Sequence, residues 1–375
     1  MQSLVPKSDF LNLDSVVHLA AGGQTPSLKS HLAALERFAT AKGTGLRGQA
    51  QNQETRARVA QRVARLIGCQ WDDVGFPSSV AHGVALVAES LDWRPGDNVV
   101  LEAWEFPSLL YPWLPLRERG VEVRLLQPEN WQVPLERVRA AVDARTRVLA
   151  LSHVSYLTGE RRDLAAYAAI ARAAGALFVV DASHSLGVVP VYAPHADFLF
   201  SCCYKWLLGT QGVAVAYWNR ARLPRWRPRT AGWHSAEPRP PLDQGDLQLA
   251  DTGVVFEPGN PNFVGLYVLD NALDYLLAVG DAAIERHVLA LSGEVRRRLA
   301  ALGVPLMTPE APERRAGNIA FSAANAAEIR KALEAQGVLV TGEDGRVRIS
   351  VHLYNDLEDV ERGLAALAGV LGSGA

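Results

Sequence analysis

The sequence predicts an α/β architecture: a mostly parallel sheet flanked by helices, with a smaller α+β unit at the C-terminal end. Two observations carry this. Short β-rich runs recur through the middle of the chain, at residues 98–101, 122–126, 147–154, 176–181, 197–203 and 212–218. Between several of them, as in 135–142 and 164–174, apolar residues recur every three or four positions, the period of a helix packed on one face. Strands alternating with helices form parallel sheets covered on both sides, and ligands then bind beyond the carboxyl ends of the strands. That rule draws attention to His153, Asp181 and Lys205, each at or just past the end of a predicted strand.

The flanking regions follow in order. A helical pattern covers 28–41 and runs into Gly43-Thr-Gly45-Leu-Arg-Gly48, which has the spacing of a dinucleotide-binding glycine motif. Such a motif needs a strand before it and a helix after it, and here a helix precedes, so these read as loop glycines. Proline and arginine crowd 223–241, which reads as a long irregular connection. Amphipathic stretches cover 263–278 and 282–302. Beyond them come a strand at 318–322, a helix at 326–336, strands at 338–341 and 346–352, and a closing helix at 357–371. The expected division is an N-terminal segment (1–25), a large α/β domain (26–260), and linking helices with a small α+β domain (261–375).

At 375 residues the chain can bury a sizeable core, and 49% hydrophobic against 21% charged residues is ordinary globular usage. A net charge of -2 provides no field for gathering polyanions, so nothing in bulk charge supports nucleic-acid binding. No uninterrupted apolar run has bilayer length, and the first residues lack the apolar core of a signal peptide. The expectation is a cytoplasmic protein with no membrane or nucleic-acid partner. Three cysteines, two of them adjacent (Cys202 and Cys203), offer no disulfide framework, and no metal-ligand spacing appears.

Of 38 basic residues only five are lysine: Lys7, Lys29, Lys42, Lys205 and Lys331. Where arginine provides nearly all the generic charge, a lysine in an apolar setting suggests chemistry that a guanidinium cannot perform, such as forming an imine. Lys205 is that lysine, since an apolar strand runs straight into it and a glycine-bearing loop follows. At pH 7 a free lysine is neutral in only about one molecule in 2,500, so a nucleophilic one needs a low-dielectric or cationic setting. Asp181 ends another buried-looking strand and needs a partner; the protonated ring nitrogen of pyridoxal phosphate would be one. Taken alone, Lys205 also reads as a snorkelling strand-end lysine and Asp181 as a turn cap.

Together these residues make a longer pattern. Asp181-x-x-His184 is followed, 24 residues after the aspartate, by Lys205 in Ser201-Cys-Cys-Tyr204-Lys205, and then by Gly209-Thr-Gln-Gly212. The pattern resembles the class V aminotransferase family, fold-type I enzymes of pyridoxal phosphate. The likeness extends to the segment from His18 to Pro26, to Leu151-Ser-His153-Val-Ser, to Phe256-Glu-Pro-Gly-Asn260, and to Val347-Arg348-Ile-Ser. The resemblance implies that Lys205 holds the cofactor as a Schiff base, Asp181 pairs with the ring nitrogen, His184 lies near the ring hydroxyl and His153 stacks on the ring. It implies phosphate contacts from Ser78 and Ser79, which otherwise read as a helix N-cap. Ser201 and Tyr204 are expected to add hydroxyl donors, and Trp233 to lie at the cofactor. Asn260 is expected to reach it from the second subunit of a homodimer, a position commonly threonine in relatives. Arg348 matches the arginine that grips a substrate carboxylate, for which a planar fork is suited.

The implied activity is conversion of a small amino-acid substrate through an external aldimine and Cα deprotonation. Cysteine desulfurases share the scaffold but need a mobile cysteine shortly before the carboxylate-binding arginine, and 341–346 contains none. Glu105-Phe-Pro-Ser108, Tyr204 and Gly232-Trp233-His234 look more like kynureninase and isopenicillin N epimerase relatives, while Tyr156 stands where asparagine or aspartate is usual. Transamination, elimination (including C–S lyase chemistry), epimerisation and hydrolytic C–C cleavage all stay open, as does a pyridoxal phosphate carrier without turnover.

Overall fold

A computed structural model describes residues 1–237 and 247–373. The end of the proline-rich connection, 238–241, lies outside the described residues. In chain order the elements are β1 (Val17–His18), α1 (His31–Lys42), α2 (Leu46–Ile67), β2 (Val74–Gly75), α3 (Val80–Glu89), β3 (Asn98–Glu102), α4 (Pro107–Leu110), β4 (Glu122–Leu126), α5 (Leu135–Ala141), β5 (Thr146–Ser152), α6 (Leu164–Ala173), β6 (Leu177–Asp181), β7 (Phe198–Cys202) and β8 (Ala214–Trp218). After the connection come α7 (Phe263–Val279), α8 (Asp281–Ala301), β9 (Asn318–Ser322), α9 (Ala326–Glu334), β10 (Val338–Leu339), β11 (Thr341–Glu343), β12 (Arg346–Ser350) and α10 (Leu357–Ser373).

Seven strands form one sheet in the order β2-β8-β7-β6-β5-β3-β4. The five from β7 to β4 are parallel, and β8 and β2 close the edge antiparallel. Because side chains alternate along a strand, each strand sends apolar residues into both layers. Val148, Ala150, Val179, Phe198, Phe200 and Cys202 enter the layer that contains α3. Leu149, Leu151, Phe178, Val180 and Leu199 enter the other, with α6 and α8. This parity decides which polar residues at the strand ends share a space.

The C-terminal unit is an antiparallel sheet, β11-β12-β9. Val347 and Ile349 of β12 point into the core while Arg346, Arg348 and Ser350 occupy the opposite face. The N-terminal segment joins this unit: β1 pairs with β10, and Ala20 bridges to Ser350. The Gly43–Gly48 stretch is a helix-to-helix turn, Gly43 capping α1 and Gly48 sitting inside α2 against Ala41, so no strand feeds it. Among the described residues no single helix is long and apolar enough to cross a membrane.

Candidate active site

The carboxyl ends of β5, β6 and β7 converge on one buried group. Ser152 and Asp181 stand side by side in register, and Asp181 is opposite Phe200. By strand parity Ser152, Asp181 and Cys202 all face the α3 layer. Lys205 follows β7 in a tight loop in which N of Leu208 donates to O of Lys205 at 3.0 Å and N of Gly209 to O of Cys203 at 2.8 Å. Leu208 and Gly212 adopt positive φ (56° and 81°), so the loop is fixed rather than extended. The lysine is 6% exposed, and burial pushes its pKa down. Its Nζ lies 3.0 Å from Nε2 of His184.

A relay behind His184 sets its proton. Nδ2 of Asn318 is 2.9 Å from Nδ1 of His184, and Oγ of Ser350 donates to Oδ1 of Asn318 at 2.7 Å. With the amide oriented by Ser350, Asn318 donates to Nδ1, and Nε2 carries the ring proton toward Lys205. A proton on Nε2 requires a lone pair on the amine, so the arrangement holds Lys205 neutral. Burial drives the His184 pKa well down, so the imidazole is neutral and carries a single ring proton.

Asp181 is 3% exposed; N of Ser183 donates to its Oδ1 at 2.8 Å, and burial raises its pKa. Glu105 anchors the neighbouring loop: N of Ser152 donates to its Oε1 at 2.8 Å and Oγ of Ser152 to its Oε2. The next residue, Phe106, then places its ring centroid 5.2 Å from Lys205 Nζ and meets Tyr156 edge-on at 5.1 Å. Phe106 is thus an aromatic face held over the amine. It belongs to the segment 105–108, for which the family resemblance implies no cofactor contact.

The structure departs from the expected roles at two positions. His153, one residue past Ser152, takes the opposite parity. It lines a cavity of about 1090 Å³ beneath the sheet with Arg161, Tyr192 and His195. Burial, then Arg161, Arg162 and His195, lower its pKa to about 3. It therefore does not stack where Lys205 lies, and Phe106 holds that place. Ser201 likewise points to the far layer, donating to O of Cys202 at 3.1 Å, and Cys202 occupies the site face.

The remaining expected residues surround the group. Ser79 caps α3, its hydroxyl accepting from N of His82 at 3.1 Å, and Ser78 Oγ is 3.1 Å from His82 Nδ1. Both serines are exposed, and N of Ala214 donates to O of Pro77 at 2.8 Å, which ties the head of α3 to the start of β8, where Ala214 pairs with Cys202 at the end of β7. Tyr204 sets its ring 5.7 Å from Lys205 Nζ. Trp233 (52% exposed) and Asn260 lie on the surface. Arg348 is buried; its Nη1 donates to O of Tyr156 at 2.5 Å and Nη2 to Oγ1 of Thr341 at 3.3 Å, while Nε has no partner among the described residues. Burial and Arg346 lower its pKa to about 9. Such a guanidinium gains by binding a carboxylate.

A buried neutral amine and a buried carboxylate share one face, and neither forms an ion pair among the described residues. The carboxylate's raised pKa would fall against a cationic ring nitrogen, and exposed hydroxyls and backbone N–H groups at a helix start suit a phosphate. The donor set fits pyridoxal phosphate, and it defines the class as enzymes that use this cofactor. The chain belongs to the aminotransferase class-V family, whose profile it matches over residues 23–362. It is 31% identical over 347 residues to a cysteine desulfurase of Salmonella agona (86% of this chain, 84% of the relative). It is 29% identical over 339 residues to a probable cysteine desulfurase of Methanothermobacter thermautotrophicus (84% and 82%). Its fold is shared with the apo cysteine desulfurase of Thermococcus onnurineus NA1, with TM-score 0.89, 23% identity and 100% of both chains covered. A C-DES mutant with glycine covalently linked to its PLP cofactor also shares it, with TM-score 0.89, 22% identity, and 97% of this chain and 99% of that one covered. The protein is a pyridoxal phosphate enzyme acting on an amino acid.

Proposed function

We propose that this enzyme deprotonates an amino acid at Cα and transfers its amino group, with Lys205 as the residue that holds the cofactor and carries the proton. The observation that carries the reading is the 3.0 Å approach of Lys205 to His184, which keeps the amine neutral and nucleophilic. When bound, pyridoxal phosphate supplies an aldehyde for covalent attachment and a ring that accepts electrons. Asp181 holds negative charge where the ring nitrogen would lie; Ser78, Ser79 and Tyr204 offer hydroxyls to the phosphate. Phe106 covers the amine from one side and excludes water. Arg348 orients the substrate by its carboxylate, exchanging its bond to O of Tyr156 for a charged one.

The reading extends to a homodimer, for which exposed apolar side chains on three neighbouring helices are the support. Leu32 and Leu35 of α1, Leu46 at the head of α2 and Val264 at the head of α7 are 37% to 82% exposed on helices that pack together. Trp233 and Asn260, exposed on one subunit, would then serve a site across the interface. The cytoplasm is the expected compartment, given buried free thiols at Cys202 and Cys203.

A second reading, a C–S lyase, is favoured by the relatives: several are named cysteine desulfurases, and one fold neighbour is a cystine C-S lyase. Persulfide formation on a cysteine of this chain is disfavoured. The β11–β12 hairpin contains no cysteine, and burial raises the pKa of Cys202 and Cys203 and takes Cys69 to about 12. The deciding experiment incubates the holoenzyme with a panel of amino acids and identifies the products. A keto acid with the cofactor left as its amine supports transamination; ammonia with pyruvate, or sulfide, supports the lyase. No product and no spectral change with any amino acid would sink both.

A further inference from the structure

After β4 the chain reverses at Glu129–Gln132: N of Glu129 donates to O of Gln132 at 2.8 Å, and N of Gln132 donates back at 3.0 Å. Both central residues have positive φ, Asn130 at 47° and Trp131 at 69°. This is the two-residue hairpin turn whose second central position is ordinarily glycine. A bulky residue enters that conformation only under strain, and such strain collects where function requires it. Here it sets the indole of Trp131 on Trp104, with ring centroids 5.3 Å apart at 39°.

Trp104 is two residues from Phe106, which faces Lys205 and meets Tyr156. Leu157, Met307 and Ala320 pack beneath Trp104, Trp131 and Tyr156, and Ala320 is the register partner of Arg348. An aromatic surface thus runs from the amine past the carboxylate-binding arginine to the hairpin tip. All four rings are partly exposed, whereas Trp113, Trp206 and Trp218 are buried completely.

We infer that Trp104, Trp131 and Tyr156 form the wall that receives the substrate side chain, and that the substrate is an amino acid with a planar aromatic side chain. Offset and edge-on packing against such a wall discriminates a flat ring from a short aliphatic chain. The inference rests on the amino-acid reading above, and it specifies the side chain that reading leaves open.

The test titrates the holoenzyme with phenylalanine, tryptophan, alanine and cysteine, following cofactor absorbance, in the parent and in Trp131→Gly. The expected result is aromatic amino acids binding at least tenfold more tightly than alanine. In Trp131→Gly the aromatic Kd rises about tenfold and the alanine Kd stays within about twofold, with an unfolding midpoint unchanged or raised because glycine suits the turn. Parent preference for alanine or cysteine, aromatic binding unaltered by the substitution, or a substitution that only lowers stability overturns the wall alone. Silence from all four amino acids overturns the amino-acid reading and the wall with it.

Discussion

Asn318 holds His184 in one tautomer: Nδ2 lies 2.9 Å from Nδ1 of the imidazole, and the opposite ring nitrogen faces Lys205 at 3.0 Å. The two residues are 134 positions apart, one on β9 and one past β6. The small unit thereby sets the protonation of a group in the large one. Asn318→Asp offers an acceptor to Nδ1 instead, drawing the ring proton there and presenting a bare Nε2 to the amine. The expected outcome is a kcat lower by about 10² and an altered pH profile of the cofactor spectrum, with the fold intact by circular dichroism. An unchanged profile would show that the tautomer does not matter.

Lys205→Ala is expected to fold, since it removes a buried amine whose charged form burial disfavours. It should lose the chromophore that borohydride reduces, and mass spectrometry should find no cofactor tag on the peptide that contains residue 205. A tag on another lysine would refute the assignment.

How much of this was readable beforehand follows from the range of the interactions. Helical and strand periods are local, so β4 and β9 coincide with their predicted runs. Lys205 and Asp181 were legible because scarcity and strand-end position are properties of the chain itself. The facing of His153 was not, because one residue of register past Ser152 exchanges one layer for the other. Asn318 gave no signal at all: its role exists only where β9 passes behind His184. Phe106 could have been found, since Glu105 beside an aromatic at a strand end offers a buried anchor for a ring. Trp131 was hidden because its meaning lies in a backbone angle.

Glu105→Ala should release the loop that carries Phe106. It leaves the buried N–H and hydroxyl of Ser152 without their acceptor, a loss of about 1–3 kcal/mol for each unsatisfied group. The expected outcome is a lower unfolding midpoint and faster cofactor loss on dialysis. Glu105→Gln, which keeps an acceptor for the N–H of Ser152, should recover most of the stability. Equal damage from both variants would mean that the charge, and not the anchor, matters.

Acid should loosen the contact between the N-terminal segment and the small unit. His18 bonds Tyr354 at 3.0 Å, and His352 lies 3.0 Å from O of Trp206; burial lowers their pKa values to about 4 and about 3, and that of His153 to about 3. Unfolded, each titrates near 6.5, so between these values the unfolded chain binds more protons than the folded one. Their stabilisation is complete above about pH 6.5 and is lost as pH falls toward 3, together on the order of several kcal/mol. Glu102 works in the opposite sense. Burial raises its pKa to about 7 despite Arg162, so it favours the folded state below that pH and offsets part of the loss. Burial raises Asp73, Glu105 and Asp181 in the same sense as Glu102, but it lowers His31, His82, His184 and His287 along with the three histidines named, so the imidazoles outnumber the carboxyls and the unfolding midpoint in urea should be lower at pH 5 than at pH 7.5. Glu102→Gln should steepen the decline, because the opposing proton is gone. A midpoint flat from pH 7.5 to pH 5 in both proteins would show that these imidazoles become protonated without unfolding the chain.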